Sequence, residues 1–448
     1  MIREHWKSSI IFVLAAAGSA VGLGNIWKFP YMVGENGGSA FVLVYLACIV
    51  AVGLPILVAE ILLGRRGDAS PILAMQKVAL ESRASKAWAG IGWLGSIAGF
   101  LIASFYAVVA GWAGKYTVTL FSNEFEGADV PQVESYFATL LGDNTSMLIW
   151  GFGFLLVSLA FIALGVHRGL ANLARILMPL LILMLLGLLV YAVIQGNISA
   201  SLHFMFDFKP EDLNSDVILS ALGHSFFTLS LGMCAIMVYG SYMPKNTSIG
   251  KAALAVGFLD TAIAIIAGVV IYSIVFDNGM QASAGPGLLF QTLPVAFEQL
   301  PNGHLVGGIF FLLVSFAALT SLVSIIEPFV AYMVDKGMSR ILATGVFCVI
   351  CSVFAVACTL SLNIWSAEPY LIAGLSIFDA LDYLTVNIML PLGGVLIAIF
   401  VGWVMKDTKI RRELKPQYEA LYLVWRVFIR WIAPLSVIAV LLNQLSVI

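Results

Sequence analysis

Charged residues are scarce in this chain. Asp, Glu, Lys and Arg make up 11% of its 448 residues and hydrophobic residues 61%, whereas a soluble domain carries about 25% charge. A chain with so little charge cannot cover a surface that faces water, so we expect the lipid bilayer to surround it. The formal net charge of −2 says little, because in a membrane protein the positions of the charges matter more, and we do not expect nucleic acid as a partner.

The sequence also lacks the signs of a disulfide framework and of a removable targeting signal. The cysteines number five, an odd count, and all of them lie in apolar segments, so we expect no extracellular disulfide framework. The first apolar run continues through several glycines without a small-residue cleavage site, so we do not expect a removable signal peptide. The apolar runs are continuous rather than alternating, which excludes a β-barrel and favours helices.

Long apolar runs recur along the chain, and several reach the roughly 20 residues that cross a hydrocarbon core. The sequence predicts an all-α membrane protein with eleven transmembrane helices. Their approximate bounds are 8–35, 39–64, 87–116, 146–165, 170–195, 217–240, 250–276, 304–333, 339–362, 377–404 and 426–446. Lys and Arg concentrate in alternate loops, which predicts a cytoplasmic N-terminus and an external C-terminus. Short termini suit the cytoplasmic (inner) membrane of a bacterium.

Two of the spans contain residues that disfavour a continuous helix. Residues 18–30 hold three glycines and Pro30 within one crossing, and residues 226–233 hold Gly232 with two hydroxyl residues. Discontinuous helices at corresponding positions of two repeats mark the binding site of a transporter. The breaks are five spans apart, which predicts a five-plus-five inverted repeat. The predicted units are 1–195 (first repeat), 196–404 (second repeat) and 405–448 (linker and last span).

The broken-span pattern has a simpler alternative, in which Gly18 and Gly22 only form a helix-packing face. The eighth span weighs against it, because Thr320, Ser321 and Ser324 place hydroxyls on neighbouring parts of one helical face. Such oxygens suit a small hard cation, although hydroxyls inside helices are also common as packing residues.

Charged or titratable residues inside spans are rarer still. Each costs at least about 2.5 kcal/mol at a helix centre unless it is paired or faces a cavity. Glu60, His224, Asp260 and Glu327 stand out in this way. Structural ion pairs are the alternative for each acid, and Asp260 is the one that we expect to be functional.

The loops between the spans carry further predictions. The external segments 197–216 and 278–303 mix Pro, Gly and aromatic residues, which predicts short helices over the outer mouth. The charged segment 406–420 is predicted to be a cytoplasmic linker.

Four motifs together resemble the neurotransmitter:sodium symporter family, in particular its bacterial amino-acid transporters for several hydrophobic substrates. The motifs are 3–6, 18–30, 227–232 and 317–321, and the resemblance extends over essentially the whole chain. It implies an eleven-helix fold with unwound first and sixth helices, and symport of hydrophobic L-amino acids with two sodium ions by alternating access. An enzyme is not expected, because no span contains a convincing nucleophile and base pair or a zinc-binding motif.

The resemblance also implies ion sites, residue by residue. The first sodium site would use Ala20, Asn25, Thr228 and Asp260, and the second would use Gly18, Val21, Ala317, Thr320 and Ser321. The family usually has Asn where this chain has Asp260. A fixed negative charge in the ion shell predicts that chloride is not required. The alternative is that Asp260 titrates and couples transport to protons, and a channel is a less favoured reading.

The substrate site and the gates follow from the same resemblance. The implied substrate-binding residues are Ala20, Leu23, Gly24, Ile102, Tyr106, Phe227, Thr228, Ser230, Met233, Ser321, Ser324 and Ile325. Met233 is expected to give breadth, because its soft, unbranched side chain can repack around different ligands. The implied gates are Lys28 with Asp382 outside, and Arg3 with Asp335 inside, surrounded by Trp6 and Tyr242. We expect a weak or water-mediated outer pair, because lysine lacks the bidentate fork of arginine. Gly169 and Pro179 form an implied hinge in the fifth span.

Overall fold

A computed structural model describes residues 4–128, 130–280 and 285–444, and Arg3 therefore lies outside the described residues. Helices follow one another along this part of the chain. Within it, the only β-type pairing is the isolated bridge between Ile372 and Leu375. The prediction of an all-α membrane protein is confirmed.

Nine helices in the described ranges are long and apolar enough to cross a membrane. They are Ser39–Gly67, Lys86–Phe121, Asn144–Ala163, Val166–Gln195, Ile249–Asp277, Gly303–Asp335, Arg340–Leu360, Ile377–Val404 and Glu419–Asn443. The pair Ser9–Ala20 and Gly24–Glu35 is bent by 52° and makes a tenth if it counts as one span.

The predicted sixth span consists of two shorter helices, Ser215–Thr228 and Ala235–Ser241. Neither is long enough to cross a bilayer alone, which is why a count by length omits them. We number the eleven segments in chain order as spans 1 to 11, with the bent pair as span 1 and these two helices as span 6. Both spans that were predicted to be unwound are interrupted.

The break in span 1 is short. Ser9–Ala20 ends at Val21, whose ψ of 110° is extended, and the chain resumes through a π-helical turn at Gly24–Lys28 that continues into Phe29–Glu35. Pro30 follows directly on that π-helical turn, and without an N–H it cannot donate to a carbonyl of the preceding turn. The glycines and the proline therefore mark two sides of the same interruption.

The break in span 6 is longer and uses left-handed backbone. Ser230, Gly232 and Cys234 have φ values of 53°, 82° and 63°. A Cβ on Gly232 would lie 2.2 Å from the Leu390 carbonyl oxygen, so only glycine fits there. The Gly232 N–H donates to Glu60 Oε1 over 2.7 Å, so the buried carboxylate of span 2 satisfies a backbone group that the break leaves without a helical partner.

Several helices lie outside the spans. The predicted short external helices are present as Ile198–Phe206, Pro210–Asp212, Gly285–Leu288 and Thr292–Glu298. Pro71–Glu81 and Val130–Gly142 were not predicted. The linker 406–420 contains the helix Asp407–Leu414, which Arg65 and Arg66 of span 2 hold through ion pairs of 3.2 and 3.4 Å to Glu413.

Candidate functional site

The two breaks meet span 7 at a buried polar cluster. The Asn25 amide donates to Asp260 Oδ1 over 2.7 Å and to Thr228 Oγ1 over 3.0 Å. The Thr228 hydroxyl in turn donates to Asp260 Oδ2 over 3.1 Å. All three side chains are fully buried. The structure thus brings together three of the four residues that were predicted for the first sodium site. The oxygen atoms of their side chains suit a hard cation.

The electrostatic state of this cluster is unusual. Asp260 forms no ion pair with a basic side chain of the described residues, and its hydrogen bonds come only from the neutral groups of Asn25 and Thr228. A buried, unpaired carboxylate is costly. It becomes favourable when it binds a cation or takes up a proton.

A second oxygen cluster joins span 1 to span 8. Ser321 Oγ donates to the Val21 carbonyl over 3.1 Å, and Thr320 Oγ1 donates to the Ala317 carbonyl over 3.0 Å. A Cβ on Gly18 would lie 3.5 Å from Thr320 Cβ. All five residues that were predicted for the second sodium site therefore lie in this one region.

Serines connect these two regions to the break in span 6. Ser230 Oγ donates to the Ser19 carbonyl over 2.9 Å, and Ser19 Oγ donates to Ser324 Oγ over 2.8 Å. These hydrogen bonds thus link spans 1, 6 and 8. Ser324 is part of this link and of the hydrogen bond to the Ser321 carbonyl, and it does not line the cavity described next.

A small cavity of about 30 Å³ lies between the broken spans and spans 3 and 8. Its lining residues are Ala20, Gly22, Gly24, Ile102, Phe105, Tyr106, Phe227, Ser230, Met233, Ser321 and Ile325. Nine of these were predicted to bind substrate. Leu23, Thr228 and Ser324 were predicted as well but do not line the cavity. Ala20 and Ser321 line it and were also predicted as sodium ligands.

Gly22 and Phe105 line the cavity without having been predicted. Gly22 belongs to the glycine run of span 1, so its side-chain-free backbone was a usable signal. Phe105 precedes Tyr106 directly, and neighbouring residues of a helix point about 100° apart. No feature of the sequence singled out Phe105 for this reason.

The cavity is apolar with a few polar groups. No charged side chain lines it. The Leu23 N–H at the span 1 break donates to Tyr106 Oη over 3.2 Å, and a Cβ on Gly22 would lie 2.4 Å from Ser321 Oγ and 2.9 Å from Tyr106 Oη. A helix N-terminus with free N–H groups suits a carboxylate, and unwound carbonyls suit an ammonium group. The space holds only one or two water-sized spheres, so a larger ligand requires its walls to move.

The outer gate has one contact that was not predicted. Lys28 Nζ lies 4.4 Å from the centre of the Phe227 ring, a cation–π contact. Lys28 and Asp382 interact electrostatically, but within the described part of the chain they form no ion pair of 4.0 Å or less. The contact with Phe227 competes for the single compact charge of lysine, which cannot serve two partners as a guanidinium fork can.

On the inner side, Trp6 packs into span 6. Its N–H donates to the Tyr242 carbonyl over 2.7 Å, its indole N–H donates to the Tyr239 carbonyl over 3.3 Å, and its ring lies edge-on to both tyrosines. Asp335 Oδ2 accepts from the Ser70 N–H over 2.6 Å, at the start of Pro71–Glu81. The proposed partner of Asp335, Arg3, lies outside the described residues.

The other intramembrane titratable residues have structural surroundings. Glu327 accepts from the Tyr242 hydroxyl over 2.7 Å and pairs with Arg340 at 2.5 Å, which matches the structural alternative for this acid. His224 is buried among the rings of Phe29 and Tyr45 at 5.8 and 5.5 Å. Neither of these two residues lines the cavity.

The predicted hinge of span 5 is helical in this structure. Gly169 belongs to the π-helical turn Val166–Leu170, and Pro179 lies inside Ala171–Gln195. A Cβ on Gly169 would lie 1.8 Å from the Phe161 carbonyl oxygen, so the close approach of spans 4 and 5 requires glycine. The hinge role stays a prediction.

Comparison with known proteins agrees with this architecture. The model of the sodium:neurotransmitter symporter family matches residues 3–134 and 141–448. An uncharacterized sodium-dependent transporter of Bacillus subtilis, YhdH, is 34% identical over 99% of this chain and 98% of its own length. A similar uncharacterized transporter of Haemophilus influenzae is 30% identical over the same shares of the two chains.

A solved structure extends the likeness to three dimensions. The crystal structure of MhsT in complex with L-phenylalanine matches this fold with a TM-score of 0.90 and 40% sequence identity, covering 99% of this chain and 100% of the other. The chain therefore belongs to the sodium:neurotransmitter symporter family and is a multi-pass, sodium-dependent membrane symporter, not an enzyme.

Proposed function

We propose that this protein takes up hydrophobic L-amino acids, aliphatic and aromatic, by symport with two sodium ions and without chloride. The observation that carries the proposal is the cavity at the two breaks, which has mostly apolar walls, a few polar groups and no charged side chain. Such walls favour an apolar side chain. The L-phenylalanine in the MhsT structure supports the same class of substrate.

The substrate's charged groups would be held without a counter-ion from a side chain. Its carboxylate would meet the backbone amides of Leu23 and Gly24 and the Tyr106 hydroxyl. Its ammonium group would meet the carbonyls of Ala20, Phe227 and Thr228 together with Ser230 Oγ. The hydrogen bond between Leu23 and Tyr106 supports this arrangement, because both groups already converge on one point.

Two sodium ions are supported by the two separate oxygen clusters. One would bind with Ala20, Asn25, Thr228 and Asp260, and the other with Gly18, Val21, Ala317, Thr320 and Ser321. The buried charge of Asp260 would neutralise the first ion, which removes the need for an anion such as chloride. Because span 1 contributes to both clusters and to the cavity, the ions would organise the substrate site before release on the other side.

Asp260 also favours a second candidate function, in which amino-acid transport is coupled to the movement of protons. A fully buried carboxylate without a basic partner can be neutralised by a proton as well as by sodium. In that case uptake would follow the proton gradient and would persist without sodium.

For the cellular setting, we propose the cytoplasmic membrane of a bacterium, with the N-terminus inside and the C-terminus outside. The bias of Lys and Arg between the loops supports this orientation. We also propose that spans 1–5 (1–195) and spans 6–10 (196–404) are inverted repeats, followed by 405–448, because the two breaks recur five spans apart.

Ligand competition tests the proposed substrate class. Radiolabelled leucine is bound to the purified protein in sodium gluconate, and unlabelled leucine, phenylalanine, tryptophan, glutamate and lysine compete. The proposal predicts displacement by the three hydrophobic amino acids and none by the two charged ones. Displacement by glutamate or lysine would contradict the apolar subsite, and binding that requires added chloride would contradict the role of Asp260.

A further inference from the structure

A basic cavity lies away from the substrate site, between the N-terminal segment and the start of span 5. Its volume is about 250 Å³. The residues that line it are Lys7, Ile11, His167, Arg168, Ala171, Asn172 and Arg175. Three of these side chains carry a full positive charge, a fourth is an imidazole, and none is a carboxylate.

The three cations of this cavity have no carboxylate partners in the described ranges of the chain. Lys7, Arg168 and Arg175 form no ion pair of 4.0 Å or less there. Glu4 lies near Gly165, but it does not line the cavity. Arg65 and Arg66 at the end of span 2, by contrast, both pair with Glu413. The cavity therefore concentrates uncompensated positive charge.

Exposed aliphatic side chains flank these cations on the two elements and on the turn before span 5. Ile10 is 71% exposed, Leu164 57% and Ile176 62%. In a membrane protein such side chains contact acyl chains, while lysine and arginine reach towards the headgroup layer. A ligand that fits both features has an anionic head and hydrocarbon tails.

We propose that this cavity binds the phosphate headgroup of an anionic phospholipid. Arginine is suited to phosphate because its planar fork donates two parallel hydrogen bonds. The amide of Asn172 can add a further donor. A zwitterionic headgroup brings its own cation, which the unpaired charges repel, so the cavity selects for net negative charge.

The position of the site gives the lipid a structural consequence. Lys7 precedes Ser9–Ala20, the first helix of span 1, whereas Arg168 and Arg175 belong to span 5. These two helices pack against each other. A headgroup bound between them bridges the two elements and holds the start of span 1 against span 5.

Native mass spectrometry of the purified full-length protein tests the proposal. The protein is titrated with phosphatidylglycerol, with phosphatidylcholine of the same acyl chains, and with inorganic phosphate. We expect retention of phosphatidylglycerol in preference to phosphatidylcholine. The variant R168Q/R175Q should weaken it roughly 25-fold, since each basic residue near an anionic membrane contributes about 1 kcal/mol, or roughly fivefold.

Two control variants distinguish lipid binding at this cavity from a non-specific attraction to positive charge elsewhere on the protein. R83Q/R412Q removes two exposed arginines elsewhere and should leave lipid retention unchanged. R168K/R175K keeps the charge without the planar fork and should retain lipid better than R168Q/R175Q but less well than the wild type. Equal lipid retention in R168Q/R175Q and the wild type would overturn the proposal. So would site-dependent binding of inorganic phosphate with no preference for phosphatidylglycerol over phosphatidylcholine.

Discussion

The Asn25 amide and the Asp260 carboxylate lie 2.7 Å apart, donor to acceptor, in the interior of the protein. This contact ties the break of span 1 to the middle of span 7, and Thr228 ties the same carboxylate to the end of the first helix of span 6. One buried negative charge is therefore shared by three elements, two of which are interrupted. An ion that binds this charge can order all three at once.

The charge of Asp260 predicts that a substitution at this position changes the chloride dependence of uptake. In the variant D260N the fixed charge is lost while the amide keeps a similar shape, so uptake should become stimulated by chloride, which supplies the missing negative charge. Uptake in sodium chloride and in sodium gluconate is compared. The control D277N removes an exposed carboxylate from the same helix and should not change the anion response. If chloride stimulates uptake by neither D260N nor D277N, the charge argument is contradicted.

Ser321 is predicted to contribute to sodium affinity. Its hydroxyl lies at the junction of spans 1 and 8, 3.1 Å from the Val21 carbonyl. Removal of one such oxygen costs about 1.4 kcal/mol, which corresponds to a roughly tenfold higher sodium concentration for half-maximal uptake. The S321A variant is measured against S315A, a buried hydroxyl of the same helix. The same sodium dependence in both variants would exclude Ser321 as a ligand.

Gly22 is predicted to tolerate no side chain. A Cβ there would lie 2.4 Å from Ser321 Oγ and 2.9 Å from Tyr106 Oη, so G22A should displace both groups and abolish uptake while the protein still reaches the membrane. At Gly187 no atom lies within 4 Å of an added Cβ, so G187A should transport normally. Normal uptake by G22A would show that the close approach is not needed.

Much of this site could be predicted from the sequence because its signals are rare in membrane spans. Glycines and a proline marked the break at 18–30, and the scarcity of charge singled out Asp260. The contact of Glu60 with the Gly232 N–H could not be predicted, because it joins residues 172 positions apart. The helix Val130–Gly142 was missed because it lacks a long apolar run.

The outer gate shows a further limit of sequence reasoning. Lys28 and Asp382 were predicted to form a weak or water-mediated pair, but the cation–π contact of Lys28 with the Phe227 ring at 4.4 Å was not predicted. Opposite charges in a sequence do not specify which partner a flexible lysine side chain contacts, because an aromatic face nearby can compete.

Met233 is predicted to set the range of substrates. It lines the cavity, and isoleucine at this position would have a stiff, branched side chain in place of a flexible one. The variant M233I should bind leucine nearly normally and tryptophan roughly tenfold more weakly, which is within the range expected for a change of pocket shape. The affinities are obtained by competition. M184I, on a partly exposed position of span 5, is the control, and equal tryptophan affinity in both variants would contradict the prediction.

The pair of Glu327 and Arg340 is predicted to be structural. Glu327 is fully buried and Arg340 is 18% exposed at its side chain, so R340M should leave an unpaired buried charge and cost about 3–5 kcal/mol of stability. Thermal melting of purified protein in detergent measures this loss. The double variant E327Q/R340M should recover much of it, because the charge is gone. A double variant that melts below R340M would contradict the pairing.

The central claim, sodium-driven uptake of a hydrophobic amino acid, is tested most directly in proteoliposomes with one ion gradient at a time. Radiolabelled leucine or tryptophan uptake is measured with an inward sodium gradient at equal pH and without chloride, and separately with a proton gradient and no sodium. The account predicts accumulation in the first condition and none in the second. Accumulation driven by the proton gradient alone would contradict the two-sodium mechanism.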